Sequence, residues 1–289
     1  MILRPDPSQT LWPFTHPVAL PRKMRKISNE QTFEKSFRVK VMQYNVLSDM
    51  YAGGQLQNSI LAMDKGNCRS FLTVDFEHRF HLMKQELRGS DSDIISLCEM
   101  DHSEEFVSFL EGLGYSHCLQ ETKRRLDYTT GLLAFKKDKF GLEKYMELDF
   151  LQLRKVYKEE VYMQHGFVVL LRHLETNMLF VVVSAHYLWE PKYDYMKFAQ
   201  SLLILQKIDE MTLWAKENMA ECFEVNLPTI ILGDLNSKTG SSVIHMYTGR
   251  GLEYNHAEDL DPSLLEFSGR AKGLAKRVKY YKEIQDKLG

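Results

Sequence analysis

The stretch Leu179-Phe180-Val181-Val182-Val183-Ser184-Ala185-His186 decides how the rest of the chain is read, because a short β-branched apolar run stops abruptly at a histidine. A run of this length with apolar residues on both parities reads as a strand buried on both faces. The same form recurs at Val39–Val46, Ile94–Leu97, Leu132–Phe135, Phe167–Leu171 and Thr229–Leu232. Helical patterns lie between several of these runs. Phe76–Arg88 is one. Tyr193–Asn218 is a longer one, whose Phe198, Leu202, Leu205, Ile208, Met211 and Ala215 recur at three- and four-residue steps and form a core stripe. Strands interleaved with helices, with no internal repeat, predict an α/β protein: a layered sandwich of two mixed sheets flanked by helices.

Working outward, residues 1–36 hold five of the eight prolines and read as an irregular arm. Residues 37–262 form the predicted catalytic-type domain, and 263–289 a basic, helical tail. The chain has 289 residues, 44% of them hydrophobic, enough for one large core. Its formal net charge of -2 excludes a general basic grip on nucleic acid, so any such contact is local. The four cysteines, at 68, 98, 118 and 222, have no C-x-x-C spacing, which argues against a zinc site or a secreted disulfide framework. No apolar stretch approaches the roughly 20 residues of a membrane span. A soluble intracellular protein with no membrane partner is expected, in cytoplasm or nucleus, with the mitochondrion as a third location.

Four apolar runs finish in a residue able to bind metal or phosphate: Asn45 after VKVMQY, Glu99 after DIISLC, His186 after FVVVSA and Asp234 after TIILG. Strand ends are where α/β proteins place their sites. Taken singly each has a bland explanation: a helix-capping or water-facing carboxylate, a hydrogen-bonded histidine, a turn Asp-x-Asn. Together, the hard oxygens of Asn45, Glu99, Asp234 and Asn236 with one imidazole are a set that suits Mg²⁺ when phosphate completes the coordination, with Mn²⁺ as the alternative. Phosphodiester hydrolysis needs an activated water, neutralised nonbridging oxygens and a stabilised leaving alkoxide, and this set can supply all three.

The runs Val41–Ala52, Asp93–Glu99, Ala185–Pro191 and Gly233–Ser237, in that order, resemble the motifs of the endonuclease/exonuclease/phosphatase family, in its deadenylase-like branch. That branch holds the carbon catabolite repressor type deadenylases, the Angel proteins, nocturnin and the 2′-phosphodiesterases. Thr130–Phe140 resembles a fifth family segment. The resemblance implies Glu99 as principal magnesium ligand with Asn45 beside it. Asp234 would orient or deprotonate the attacking water or bind a second metal, Asn236 would hold the phosphate, and His186 would stabilise its developing charge. Pro191 matches a proline that stacks on a base, although a helix-opening role suits it equally. Gln164 stands where the family often has a phosphate-reaching Asn.

The implied activity is 3′-5′ exoribonuclease action on an RNA 3′ end, most naturally poly(A). Thr130 stands where deadenylases carry Asp, which keeps 2′,5′-linked oligoadenylate or a nucleotide cofactor as an alternative substrate. After Asn236 nothing matches the family's terminal catalytic Asp or its Ser-Asp-His motif, so the sandwich is expected without its C-terminal strands. A noncatalytic RNA- or partner-binding role is therefore a third reading. The tail Ser268–Lys282 is either a solvated charged helix or an RNA-tracking arm. No protein partner is indicated.

Overall fold

The computed structural model describes residues 38–52, 75–120, 130–150, 153, 166–190, 193–219 and 227–248. The arm at 1–36, the tail at 263–289, Pro191 and Gln164 lie outside the described residues. In chain order the elements are β1 (Val41–Asn45), the single turn α1 (Asp49–Tyr51), α2 (Phe76–Ser90), β2 (Ile94–Met100), α3 (Ser103–Gly112) and β3 (Tyr115–Leu119). There follow β4 (Thr130–Lys136), β5 (Phe140–Glu147), β6 (Gly166–His173), β7 (Leu179–His186), α4 (Asp194–Asn218), β8 (Thr229–Asp234) and α5 (Ser242–Thr248).

By compactness the described residues fall into two units. The smaller holds 49–52 and 75–91. In it, Asp75 caps α2 by accepting from the His78 N–H at 2.9 Å, satisfying one of the donors a helix start leaves open. Asp91 ends the helix in the left-handed conformation, its N–H returning to the Arg88 carbonyl. Arg79 pairs with Asp49.

The larger unit holds both sheets. Their strand orders are β1-β2-β4-β3 and β5-β6-β7-β8. Each sheet has one parallel pair, β1 with β2 and β7 with β8, and is antiparallel elsewhere, so both are mixed as the sequence predicts. The period-2 geometry of the strands sorts their side chains into two cores. Phe167, Val169 and Leu171 of β6 with Phe180 and Val182 of β7 meet Ile94, Leu133 and Phe135 of the other sheet. Val168, Leu170, Val181 and Val183 point the other way, against Ala199, Leu203, Ile204, Ile208 and Met211 of α4. Both faces of these strands are covered, which is why their sequence is uninterrupted apolar rather than alternating. A polar pair inside the core links the sheets: the hydroxyls of Ser96 and Ser184 lie 2.8 Å apart, each answering the other.

Sequence reading does not single out β3, β5 and α3, which bury few apolar side chains. The edge strand β5, FGLEKYME, has only Phe140 fully buried, and α3 buries Phe106 and Leu110 alone. Little apolar area is removed from water in any of them. Among the described residues no helix is long and apolar enough to cross a membrane.

Candidate active site

The two parallel strand pairs lie against each other across the sandwich, β1 and β2 meeting β8, and β2 also meeting β7. Their C-terminal ends therefore converge. Asn45, Glu99, His186 and Asp234 are the last or next-to-last residues of these four strands, so chain segments up to 189 residues apart deliver side chains to one place.

At its centre is the amide of Asn45. Its Nδ2 donates to Glu99 Oε1 at 2.8 Å and to Asp234 Oδ2 at 3.1 Å, while its Oδ1 accepts the Leu47 N–H at 3.0 Å. A neutral side chain thus stands between two carboxylates that would otherwise repel. His186 Nε2 lies 3.7 Å from Glu99 Oε1. Burial holds the His186 imidazole below its ordinary titration range, against the opposing pull of the Glu99 and Asp234 charges, so the ring is neutral near pH 7. The second Glu99 oxygen, Oε2, is buried and has no hydrogen-bond partner among the described residues.

Local backbone geometry aims these groups. β2 pairs Leu97 with Leu132 but Met100 with Thr130, which inserts one extra residue in β2. Glu99 sits in that bulge at φ +58°, a left-handed conformation that costs a residue with a Cβ about 1–3 kcal/mol. Asn236 is also left-handed, at φ +46°. Before it, Gly233 has φ +128°, and a Cβ there would lie 1.8 Å from the Ala185 carbonyl oxygen. Only glycine lets β8 approach β7 closely enough to seat Asp234 opposite His186.

Asp234 Oδ1 accepts the Asn236 N–H at 2.9 Å, and Asn236 Nδ2 donates to the Tyr187 carbonyl at 2.9 Å. Asn236 is therefore tied to both site loops. Thr130 Oγ1 donates to the Met100 carbonyl at 3.0 Å. Cys98, next to Glu99, is no nucleophile: burial and then the Asp234 and Glu99 charges push its thiol far above the ordinary range. Sequence reading does not single out Lys197, whose Nζ donates to the Asn236 carbonyl at 2.8 Å. Its one signal is a lysine among the apolar residues of a core helix.

A divalent cation suits this donor set. Two part-buried carboxylates, one with an oxygen left over, are hard anionic ligands of the kind Mg²⁺ takes in ones and twos alongside phosphate and water.

No family model matches the chain. Among known proteins it is similar to the CCR4-NOT transcription complex subunit 6-like of Danio rerio, 27% identical over 254 residues, covering 75% of this chain and 44% of the relative. It is also similar to the 2′,5′-phosphodiesterase 12 of Mus musculus, 23% identical over 257 residues, covering 81% of this chain and 39% of the relative. The chain spans less than half the length of these relatives. Among solved structures, that of ANGEL2, a 2′,3′-cyclic phosphatase, in complex with adenosine-2′,3′-vanadate matches with a TM-score of 0.59 at 21% identity, covering 76% of this chain and 59% of that one.

Proposed function

We propose, from kinship with the deadenylase-like branch of the endonuclease/exonuclease/phosphatase proteins, that this chain is a divalent-metal-dependent phosphodiesterase removing nucleotides from RNA 3′ ends, with poly(A) as its substrate. The observation that carries this reading is the meeting of Glu99 and Asp234 about one bridging amide, with Glu99 Oε2 buried and without a hydrogen-bond partner among the described residues. An oxygen so placed calls for a cation.

Glu99 and Asp234 would hold Mg²⁺ or Mn²⁺, with Asn45 beside them. Bound there, the ion supplies neutralisation of the phosphate's negative charge. Asn45 keeps the carboxylates aligned through its two donated hydrogen bonds. Asp234 would take the proton of the attacking water as that oxygen bonds to phosphorus and the bond to the 3′-oxygen breaks, the departing 3′-alkoxide taking a proton from solvent. The neutral His186 ring donates a hydrogen bond to a phosphate oxygen as charge develops there. Asn236 fixes the phosphate, and Pro191 and Gln164 contribute base and phosphate contacts. Catalysis of this kind is chiefly positioning and electrostatics.

The test is incubation of the purified chain with 5′-labelled oligo(A), with Mg²⁺ and with EDTA, resolved as a ladder. A metal-dependent ladder abolished in Glu99→Ala is expected. RNA binding without cleavage by folded protein would replace the reading with a binding role. One observation favours a second substrate: Thr130 directs its hydroxyl to the Met100 carbonyl and presents no carboxylate. A side-by-side assay of 2′,5′- and 3′,5′-linked oligoadenylate decides it, faster cleavage of the former moving the assignment there.

A further inference from the structure

The core-facing residues of α4 explain why it packs on its sheet, but they do not explain its first turns. Lys197 is 2% exposed, and Gln200 and Ser201 are fully buried. Polar side chains are costly to bury unless each finds a partner. These do, and the partners lie in the two segments that leave β7 and β8. Lys197 Nζ donates to the Asn236 carbonyl at 2.8 Å. Gln200 Oε1 accepts the Leu188 N–H at 3.3 Å. The Ser201 hydroxyl lies 2.9 Å from the Tyr187 hydroxyl, which is 2.7 Å from that of Tyr247 in α5. At the start of the helix, Asp194 Oδ2 accepts from Ser242 Oγ at 2.9 Å.

We infer that this polar face of α4 clamps together the segments following His186 and Asp234, and that Lys197 is a positioning residue for the reaction, an inference resting on the function proposed above. Asn236 is held in its left-handed conformation by three bonds: its N–H to Asp234, its side chain to Tyr187, and its carbonyl from Lys197. The first two are internal to the site. Lys197 is the one that ties the loop to a rigid 25-residue helix. Burial pulls the Lys197 ammonium below its ordinary titration range, with the carboxylates of Asp194, Glu190 and Asp234 opposing. A methionine of similar length would occupy the same space without a charge. What methionine does not supply is the donor to Asn236.

Lys197→Met separates packing from positioning. Its urea midpoint is expected to fall by no more than the loss of one buried hydrogen bond accounts for, the chain staying folded. Without any substrate, backbone amides of residues 234–241 are expected to exchange with deuterium roughly tenfold faster while β6 and β7 stay protected. On oligo(A), kcat is expected to fall roughly 10- to 100-fold with little change in KM, as for a misplaced catalytic group. Unchanged exchange overturns the inference, and so does faster exchange with unchanged kcat. If Lys197→Met does not fold, Lys197→Leu, which likewise lacks a donor, is read by the same two measurements and the same outcomes. If the parent chain cleaves nothing, the proposed function fails by itself, and the exchange measurement alone still decides whether Lys197 holds the loop.

Discussion

Strand β2 has a carboxylate at each end, and the two are held in opposite ways. Asp93, just before the strand, is 5% exposed and surrounded by donors. Lys139 Nζ lies 2.7 Å from Oδ1, Lys136 Nζ 3.6 Å from it, and the Lys40 N–H donates to Oδ2 at 2.8 Å. Glu99, at the other end, has no lysine or arginine partner among the described residues. It receives one amide hydrogen bond, faces a neutral imidazole and sits near a second carboxylate. The backbone differs as well, since Glu99 occupies a bulge in a left-handed conformation. The contrast teaches that burial of a carboxylate is not the mark of function. Asp93 is buried and compensated, which makes it part of the scaffold, whereas Glu99 is left with charge to share.

The comparison breaks most visibly if the two residues are exchanged in their effects. Glu99→Gln is expected to lower kcat by roughly 10²–10⁴-fold while leaving the urea midpoint unchanged or raised. It is also expected to abolish any rise in melting temperature produced by Mg²⁺. Asp93→Ala is expected to do the reverse. Leaving the Lys40 N–H and the lysines without their acceptor should cost about 1–3 kcal/mol of stability, with kcat and the Mg²⁺ response intact. A loss of activity in Asp93→Ala beyond its unfolded fraction would contradict the division between scaffold and site.

A smaller effect sharpens the same contrast through pH. Burial alone would raise the Asp93 carboxyl, but the hydrogen bonds from Lys139 and Lys40 and the charges of Lys139 and Lys136 outweigh it, so its pKa lies below the ordinary 3.8. For a carboxylate lowered on folding, the unfolded state binds the proton more readily. The stabilisation is therefore complete above pH 3.8 and fades as pH falls through the lower folded value. Urea midpoints of the parent and Asp93→Ala should differ by a constant amount at neutral pH and converge only in strong acid. Convergence near neutrality would mean that Asp93 is not held as described. The smallest change is expected for Lys139→Met, because that side chain is 44% exposed and water screens its pair, leaving a loss of about 1 kcal/mol or less.

The expected layered sandwich of mixed sheets is the one found, because its signal is the strongest the physics provides: β-branched runs long enough to cross a core covered on both faces. The elements with little buried area, β3, β5 and α3, leave no comparable trace. The predicted stripe of α4 is buried at Phe198, Leu202, Ile208, Met211 and Ala215, while Leu205 is only partly so. The helix is also buried at every residue from Met196 to Ile204, which a single stripe does not describe.

The sequence by itself determined which residue types end the strands, Asn45, Glu99, His186 and Asp234, because strand termini are local features and a polar residue closing an apolar run is visible without a fold. It also determined that Gly233 precedes Asp234. Only the tertiary structure decided that the Asn45 amide bridges the two carboxylates, that a one-residue bulge turns Glu99 toward them, and that a lysine buried in a core helix reaches the Asn236 carbonyl. Those three facts depend on register across β2 and β4 and on how the two parallel strand pairs meet. Register and sheet packing are set by long-range pairing, and the spacing of residues along the chain does not encode them.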